Sequence, residues 1–307
     1  MPRLFRKLAI LCKIEASYGV NSVPAAINAV IGKTVTFTPI EGDEVSRDLL
    51  LPYMGNQGVI LTGKHARLEF DVELAGSGAA GTPPQWGVLM RSCGCAETVV
   101  ADTSVTYSIV EDNVESATIF FEIDGVRHIM LGSRGTMTLN IAPKAIPSFR
   151  FTMTGLLGTI TDQALTAVSA ATLQAPLDAS SANTTMALHG WSAIAESLQI
   201  NLGNTVVPRF LIGSESVIIS DRQTTGTAVV EATSLATINW FQRAIDRTRG
   251  TLEVVHGTAA GNIVEITGPA LEIGKVTQGQ TNNILNYSLP LCFCPVAGRD
   301  EVVIIAR

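Results

Sequence analysis

Strong charge is the first thing this sequence lacks. Only 16% of its 307 residues are Asp, Glu, Lys or Arg, and the 27 acids outnumber the 21 bases to leave a net charge of -6. A protein that grips nucleic acid by its phosphates needs clustered Lys and Arg, so that class is excluded; a protein past which nucleic acid slides is not. Long hydrophobic runs are missing as well. Nothing approaches the ~18 apolar residues of a membrane span, although the mean hydropathy of +0.31 is high. Surplus apolar surface without a membrane segment points to contacts between subunits. Aromatic residues make up 6% of the chain, several of them at periodic core positions, which leaves little for an exposed sugar-binding platform.

Catalytic and metal-binding constellations are also lacking. The four histidines, His65, His128, His189 and His256, are scattered, with no H-E-x-x-H pair and no G-x-S-x-G elbow. Two C-x-C pairs, Cys93 with Cys95 and Cys292 with Cys294, are spaced more tightly than zinc motifs and read, like Cys12, as structural thiols. The acid pairs Asp43–Glu44 and Asp300–Glu301 read as solvated. No cofactor is implied, and the chain reads as a non-enzyme. Two glycine motifs mimic nucleotide sites. Gly58 to His65 resembles a P-loop but has a β-branched interior and a strand after it. Gly76-Ser-Gly-Ala-Ala-Gly81 matches the dinucleotide fingerprint, but the strand before it alternates with charge, whereas a Rossmann strand is apolar throughout. It reads as a plain flexible connection.

What is present is β-pattern. Leu68, Phe70, Val72 and Leu74 alternate with Arg67, Glu69, Asp71 and Glu73, the signature of a half-buried antiparallel strand. A short helix follows, with Thr82 as expected N-cap, Pro83 at its first position, Trp86, Leu89, Met90 and Cys93 on one stripe, and Gly94 at its end. Strand signals run from Leu8 to Cys12, Val35 to Thr38, Val105 to Val110, Ala117 to Ile123, Val126 to Leu131, Thr136 to Ile141 and Ser148 to Thr154. The start, MPRLFRKLAILC, is too short in its apolar part for a secretory signal and is expected to be a strand of a protein made in the cytoplasm. Glu15 to Asn28 reads as an arm. Glu41 to Gly58 reads as an unusually long loop, which is the usual mark of function or disorder.

After an Ala/Thr/Ser-rich stretch the pattern restarts. A strand is expected to open at Leu198, Val206 to Leu211 echoes Glu44 to Leu49, and strands are expected at Val217 to Ile219 and Ala228 to Val230, then a helix from Ser234 to Thr248 carrying Trp240, then strands at Leu252 to Val255, Ile263 to Ile266, Ile284 to Cys292 and Val302 to Ile305. The same order of strands, one helix and strands recurs at an offset of about 155 residues, which suggests an internal duplication. The expected domains are 1–159 with an N-terminal arm, a connection over 160–186, and 187–307. The fold class is mainly β, a sandwich or barrel with one packed helix per domain.

The phrases RKLAILCKIEASYG, VTFTPIEGDEVSRDLLLPYMG, GSGAAGTPPQWGVLMRSCGCAETV, DGVRHIMLGSRGTMTLNI, IPSFRFTMTGL, LIGSESVIISDRQTTG and GTAAGNIVEITGPAL, taken in order, resemble the major tail tube proteins of long-tailed bacteriophages with non-contractile tails. The resemblance implies two packed sheets with a flanking helix. It implies copies that join sheet to sheet into rings and stack as a hollow conduit for DNA ejection, in a virion tail assembled in the host cytoplasm. The implied partners are other copies of the chain, the tape-measure protein, the tail terminator and distal tail proteins. DNA would transit without specific binding. Two tube domains per chain would give a homotrimeric ring of approximate sixfold symmetry; one would require a homohexamer. Asp43, Glu44, Arg47, Asp48, Tyr53 and Asn56 in the long loop are expected to reach neighbouring subunits or rings, and Glu69, Asp71 and Glu73 to face the lumen. The alternative class is a virion adhesin or carbohydrate-binding β-sandwich module.

Overall fold

Alternating apolar residues demand one covered sheet face, and Leu68, Phe70, Val72 and Leu74 are all fully buried. The computed structural model describes residues 3–170 and 173–307; Met1, Pro2 and, in the expected connection, Ala171 and Thr172 lie outside them. The first half comprises β1 (Leu8–Ile14), β2 (Ala29–Val30), β3 (Lys33–Ser46), β4 (Val59–Glu73), helix α1 (Gly87–Ser92), β5 (Cys95–Val100), β6 (Ser104–Ile109), β7 (Ala117–Ile123), β8 (Val126–Ile141) and β9 (Ser148–Asp162). The second comprises β10 (Thr184–Leu188), β11 (Trp191–Ser192), β12 (Ala195–Asn201), β13 (Asn204–Leu211), β14 (Ser214–Arg222), β15 (Thr225–Glu231), α2 (Trp240–Ile245), β16 (Gly250–His256), β17 (Val264–Ile273), β18 (Thr277–Thr281), β19 (Ile284–Phe293) and β20 (Val303–Ala306). The chain is mainly β, as its periodicity predicts.

Several boundaries differ from the sequence reading. Val126 to Ile141 is one long strand with irregular register rather than two. Strand β9 continues to Asp162, so the first residues of the expected connection are sheet. Helix α1 starts later than predicted: Trp86, not Thr82, precedes its first turn, because Pro83 and Pro84 lead into a separate turn closed by Gly87 N donating to Pro84 O at 2.9 Å. Gly94 does take the left-handed conformation, φ +85°. Helix α2 occupies only Trp240–Ile245, and Asn239 caps it by accepting from Gln242 N at 3.0 Å. Ser234 to Ile238 forms its own turn upstream.

Two neighbour orders define the sheets. In the first half adjacent strands run β1-β7-β8-β9-β4-β3. In the second they run β10-β16-β17-β19-β15-β12. Numbering each set by its order in the chain gives the same series, 1-4-5-6-3-2, with the helix between strands three and four in both. The halves are also laced together. Strand β12 pairs with the end of β8, Leu198 opposite Ile141 and Asn201 opposite Thr138. Strand β20 returns to pair with β6, Ala306 opposite Val105. One apolar core, including Phe70, Trp86, Phe149, Trp240, Leu271 and Leu289, extends through both halves.

The glycine stretch is a packing joint. Gly78 N donates to Gly261 O at 2.9 Å and Gly76 N to Asn262 Oδ1 at 2.9 Å. A Cβ on Gly76 would lie 1.9 Å from Gly261 O. The glycines permit two loops, Ser77 to Thr82 and Gly257 to Asn262, to meet backbone to backbone, and the place a pyrophosphate would need is filled by the chain itself. Trp86 beside them is fully buried and donates its Nε1 proton to Ala75 O at 2.9 Å.

Candidate assembly surfaces

The longest projection is the β3–β4 hairpin. The expected loop from Glu41 to Gly58 is half strand: Asp43, Glu44 and Ser46 stand opposite Thr62, Leu61 and Val59 in the ladder. Both faces of this outer part are open to solvent, so it lacks the alternation that would reveal a strand. The connection proper spans Arg47 to Gly58. There Ser46 Oγ donates to Asp48 Oδ1 at 2.7 Å, and Gly58 N to Asn56 Oδ1 at 2.7 Å. Asp43, Glu44, Arg47, Asp48, Tyr53 and Asn56 are thus gathered on one exposed hairpin end. The apolar residues among them were missed by the sequence reading: Leu50 and Met54 are fully exposed, and Leu49, Leu51, Val59 and Ile60 largely so. A greasy, solvated tip is a surface waiting for a partner.

The β13–β14 hairpin occupies the same place in the second half but lies against the first. Arg134 Nη1 donates to Val217 O at 2.9 Å, the His65 and Phe210 rings are 6.1 Å apart, and Val217 is fully buried. At its base Asn204 Nδ2 donates to Cys93 O, at the end of α1, at 2.6 Å and to Gly135 O at 3.0 Å. The N-terminal arm is tied into the same region. Buried Glu15 accepts from Ser116 Oγ, Thr118 Oγ1, Gly19 N and Gly132 N at 2.6 to 2.9 Å. Tyr18 accepts from Val217 N beneath the Arg134 guanidinium, and burial pushes its phenol pKa up. Farther along the arm Val20, Val23 and Ile27 are exposed.

Glu69, Asp71 and Glu73 share the outer face of β4, as period two requires. They form a ladder with the cations beside them. Arg150 Nη2 donates to Glu69 at 2.7 Å and Nη1 to Asp71 at 3.2 Å, Arg67 donates to Glu69 at 2.7 Å, and Lys33 Nζ lies 3.6 Å from Glu73. The Arg150 hydrogen bond holds the Glu69 carboxyl below its ordinary range. Three carboxylates facing Lys33, Arg67 and Arg150 make this strip close to neutral, where composition alone suggested an acidic wall.

The remaining candidates have structural surroundings. Cys12, Cys93 and Cys95 are buried, and desolvation raises all three thiols, Cys95 to about 12. Cys292 and Cys294 lie elsewhere, beside Arg249 and Glu272. No group of three or more His, Cys, Asp or Glu among the described residues is placed to hold a metal. Glu301 is not solvated as expected: it is buried and accepts from Arg222 Nε at 2.6 Å. Asp300 accepts from Val296 N and Ala297 N, both at 3.0 Å. His128 is half-buried, 5.0 Å from the Phe37 ring centre, rather than exposed.

A family model described as phage tail tube protein matches residues 6–291. No curated protein sequence matches the chain.

Proposed function

Because the chain belongs to the phage tail tube protein family, we propose that its copies close into rings that stack as the hollow conduit for DNA ejection in a long, non-contractile tail. The family match over residues 6–291 carries this reading. The recurring strand order supports a further step: the expected modules 1–159 and 187–307, widened to take in all of β9 to Asp162 and all of β10 from Thr184, are two tube modules joined by the residues between those strands, so three chains make a ring of approximate sixfold symmetry. Joining sheet edges between copies removes the open edges that antiparallel sheets otherwise present.

In this reading the tip from Asp43 to Asn56 and the outer arm around Ile27 touch adjacent subunits or rings. The β4 strip of Glu69, Asp71 and Glu73 lines the lumen. Its carboxylates engage Arg150, Arg67 and Lys33, so the wall offers passing phosphates little free positive charge, and DNA moves through without adhering. The tape-measure, terminator and distal tail proteins meet the tube at its core and ends, and assembly takes place in the host cytoplasm.

Cryo-microscopy of the purified protein at rising concentration tests the reading: hollow rings or filaments are expected, with the β4 strip facing the channel. Monodisperse single molecules at every concentration, in the presence of the other tail proteins as well, would overturn it. Deleting residues within 43–57 is expected to stop full-length tubes from forming.

A further inference from the structure

The contact between the two halves is a template for a contact between copies. Strand β12 is second in its series and pairs with β8, the fifth strand of the other half. Its counterpart β3 pairs with β4 alone, and β18, which prolongs the second half's fifth strand β17 along β19, pairs with β19 alone. Among the described residues, β12 and the end of β8 thus cover each other, while the equivalent strands β3 and β18 each keep one side open.

Aligning Glu73 with Glu231, the last residues of β4 and β15, fixes the equivalent positions through the ladders. Phe37 lies opposite Leu68 and Ile200 opposite Gly226, so Phe37 corresponds to Ile200 and Thr38 to Asn201. Phe70 lies opposite Phe151, which lies opposite Met137; Ala228 lies opposite Leu289, one residue past the Thr277–Ser288 pair. Met137 thus corresponds to Val276 and Thr138 to Thr277. Within the chain Asn201 faces Thr138 and Ile200 faces Leu139.

Resting on the tube reading, we infer that β3 of one copy adds to β18 of the next, antiparallel, with Thr38 opposite Thr277, Phe37 opposite Gln278 and Thr36 opposite Gly279. Burial supports it. Leu198 and Ile200 on the covered strand are 3% and 1% exposed, whereas Val35 and Phe37 on the open strand are only half-buried. The docking ground supports it independently. The β12–β13 corner seats Asn204 on the end of α1 and on Gly135. The matching corner of the second half is an open cleft between α2 and the strand edge, lined by Phe241, Ala244, Ile245, Ile273 and Val276, with Ile245 74% exposed. The residue of β3 that corresponds to Asn204 is Glu41. It is followed by Asp43 and Glu44, and the charged residue lining the cleft is the exposed cation Lys275; Arg247, two residues past Ile245, is held by Glu272 at 3.4 Å. An acidic, apolar-tipped hairpin fits an apolar cleft that carries Lys275.

The test is a disulfide. In a Cys292→Ser, Cys294→Ser background, Thr38→Cys and Thr277→Cys in one chain are expected to form intermolecular links on mild oxidation of assembled protein, giving bands at multiples of 32.5 kDa, with neither single change doing so; opposed residues of an antiparallel pair are within disulfide reach. Separately, Glu41→Lys is expected to raise the concentration for half-assembly about tenfold, and Glu41→Lys with Lys275→Glu to restore it. Rings that form without the cross-link, or a charge exchange that restores nothing, would overturn this pairing and leave the tube reading standing. Wild-type protein that never assembles would overturn both.

Discussion

The two hairpins of this chain differ in what covers them. The β13–β14 hairpin lies with one face on its own chain, fixed by Asn204, Phe210 and Val217, while its outer face and its turn at Leu211 and Ile212 are bare. The β3–β4 hairpin extends past Glu41 with nothing over Leu50, Tyr53 or Met54. A device that appears twice, once covered from within and once uncovered, indicates how the uncovered one is used. In the proposed tube reading, the exposed apolar side chains here are contacts for another copy.

The halves also differ in how well their tryptophans are satisfied, and the largest effects are expected there. Trp86 packs on Tyr107 and Phe149 with its indole proton bound to Ala75 O, whereas buried Trp240 packs on His189 and Trp191 with no acceptor for its Nε1. Trp86→Ala is expected to cost about 3–5 kcal/mol, and Trp240→Ala about 1 kcal/mol less, by urea denaturation of unassembled protein. Equal costs would remove the distinction. Val217→Ala, beneath the covered hairpin, is expected to cost about 1–3 kcal/mol. Leu50→Ser and Met54→Ser, at the uncovered tip, should leave monomer stability within about 0.5 kcal/mol and still impair assembly, read by sedimentation.

Acid should sharpen the contrast. Burial holds the pKa of His128, His189 and His256 below the ordinary value of 6.5. These imidazoles stay neutral in the fold and take up protons on unfolding, so their contribution is intact above pH 6.5 and lost as pH falls toward their depressed values. The melting temperature is expected to be lower at pH 5 than at pH 7, with most of the loss in the second half, which holds His189 and His256. His256→Gln should flatten the profile. A modest change is expected from Arg150→Met, which removes the partly exposed pairs to Glu69 and Asp71 and should cost under about 1 kcal/mol by the same denaturation measurement.

Which strands exist was legible wherever one face is buried, as in β4 and β6. The outer part of β3 was not, because exposure on both faces removes the alternation from Glu41 to Ser46. Neighbours were illegible for a different reason: periodicity reports which side of a strand is covered, not which strand lies beside it, so the β12–β8 and β20–β6 pairings left no local trace. Gly76 to Gly81 stood out in the sequence because glycine is needed there, but its purpose depends on Gly261, far along the chain. The resemblance between Val206 to Leu211 and Glu44 to Leu49 falls in the two corresponding hairpins, yet nothing in either segment tells which is covered. The charged positions Glu69, Asp71 and Glu73 were readable as a shared face, while their neutralisation depends on Arg150, directly opposite Asp71 on the neighbouring strand but 79 residues along the chain.

Strand β6 owes one of its two neighbours to Val303–Ala306. While the polypeptide is still emerging from the ribosome, that neighbour is missing, and the first half stays incomplete until residue 306 has been made. Translation thus delays completion of the first half, because the last neighbour of β6 is encoded far downstream of that half's own strands.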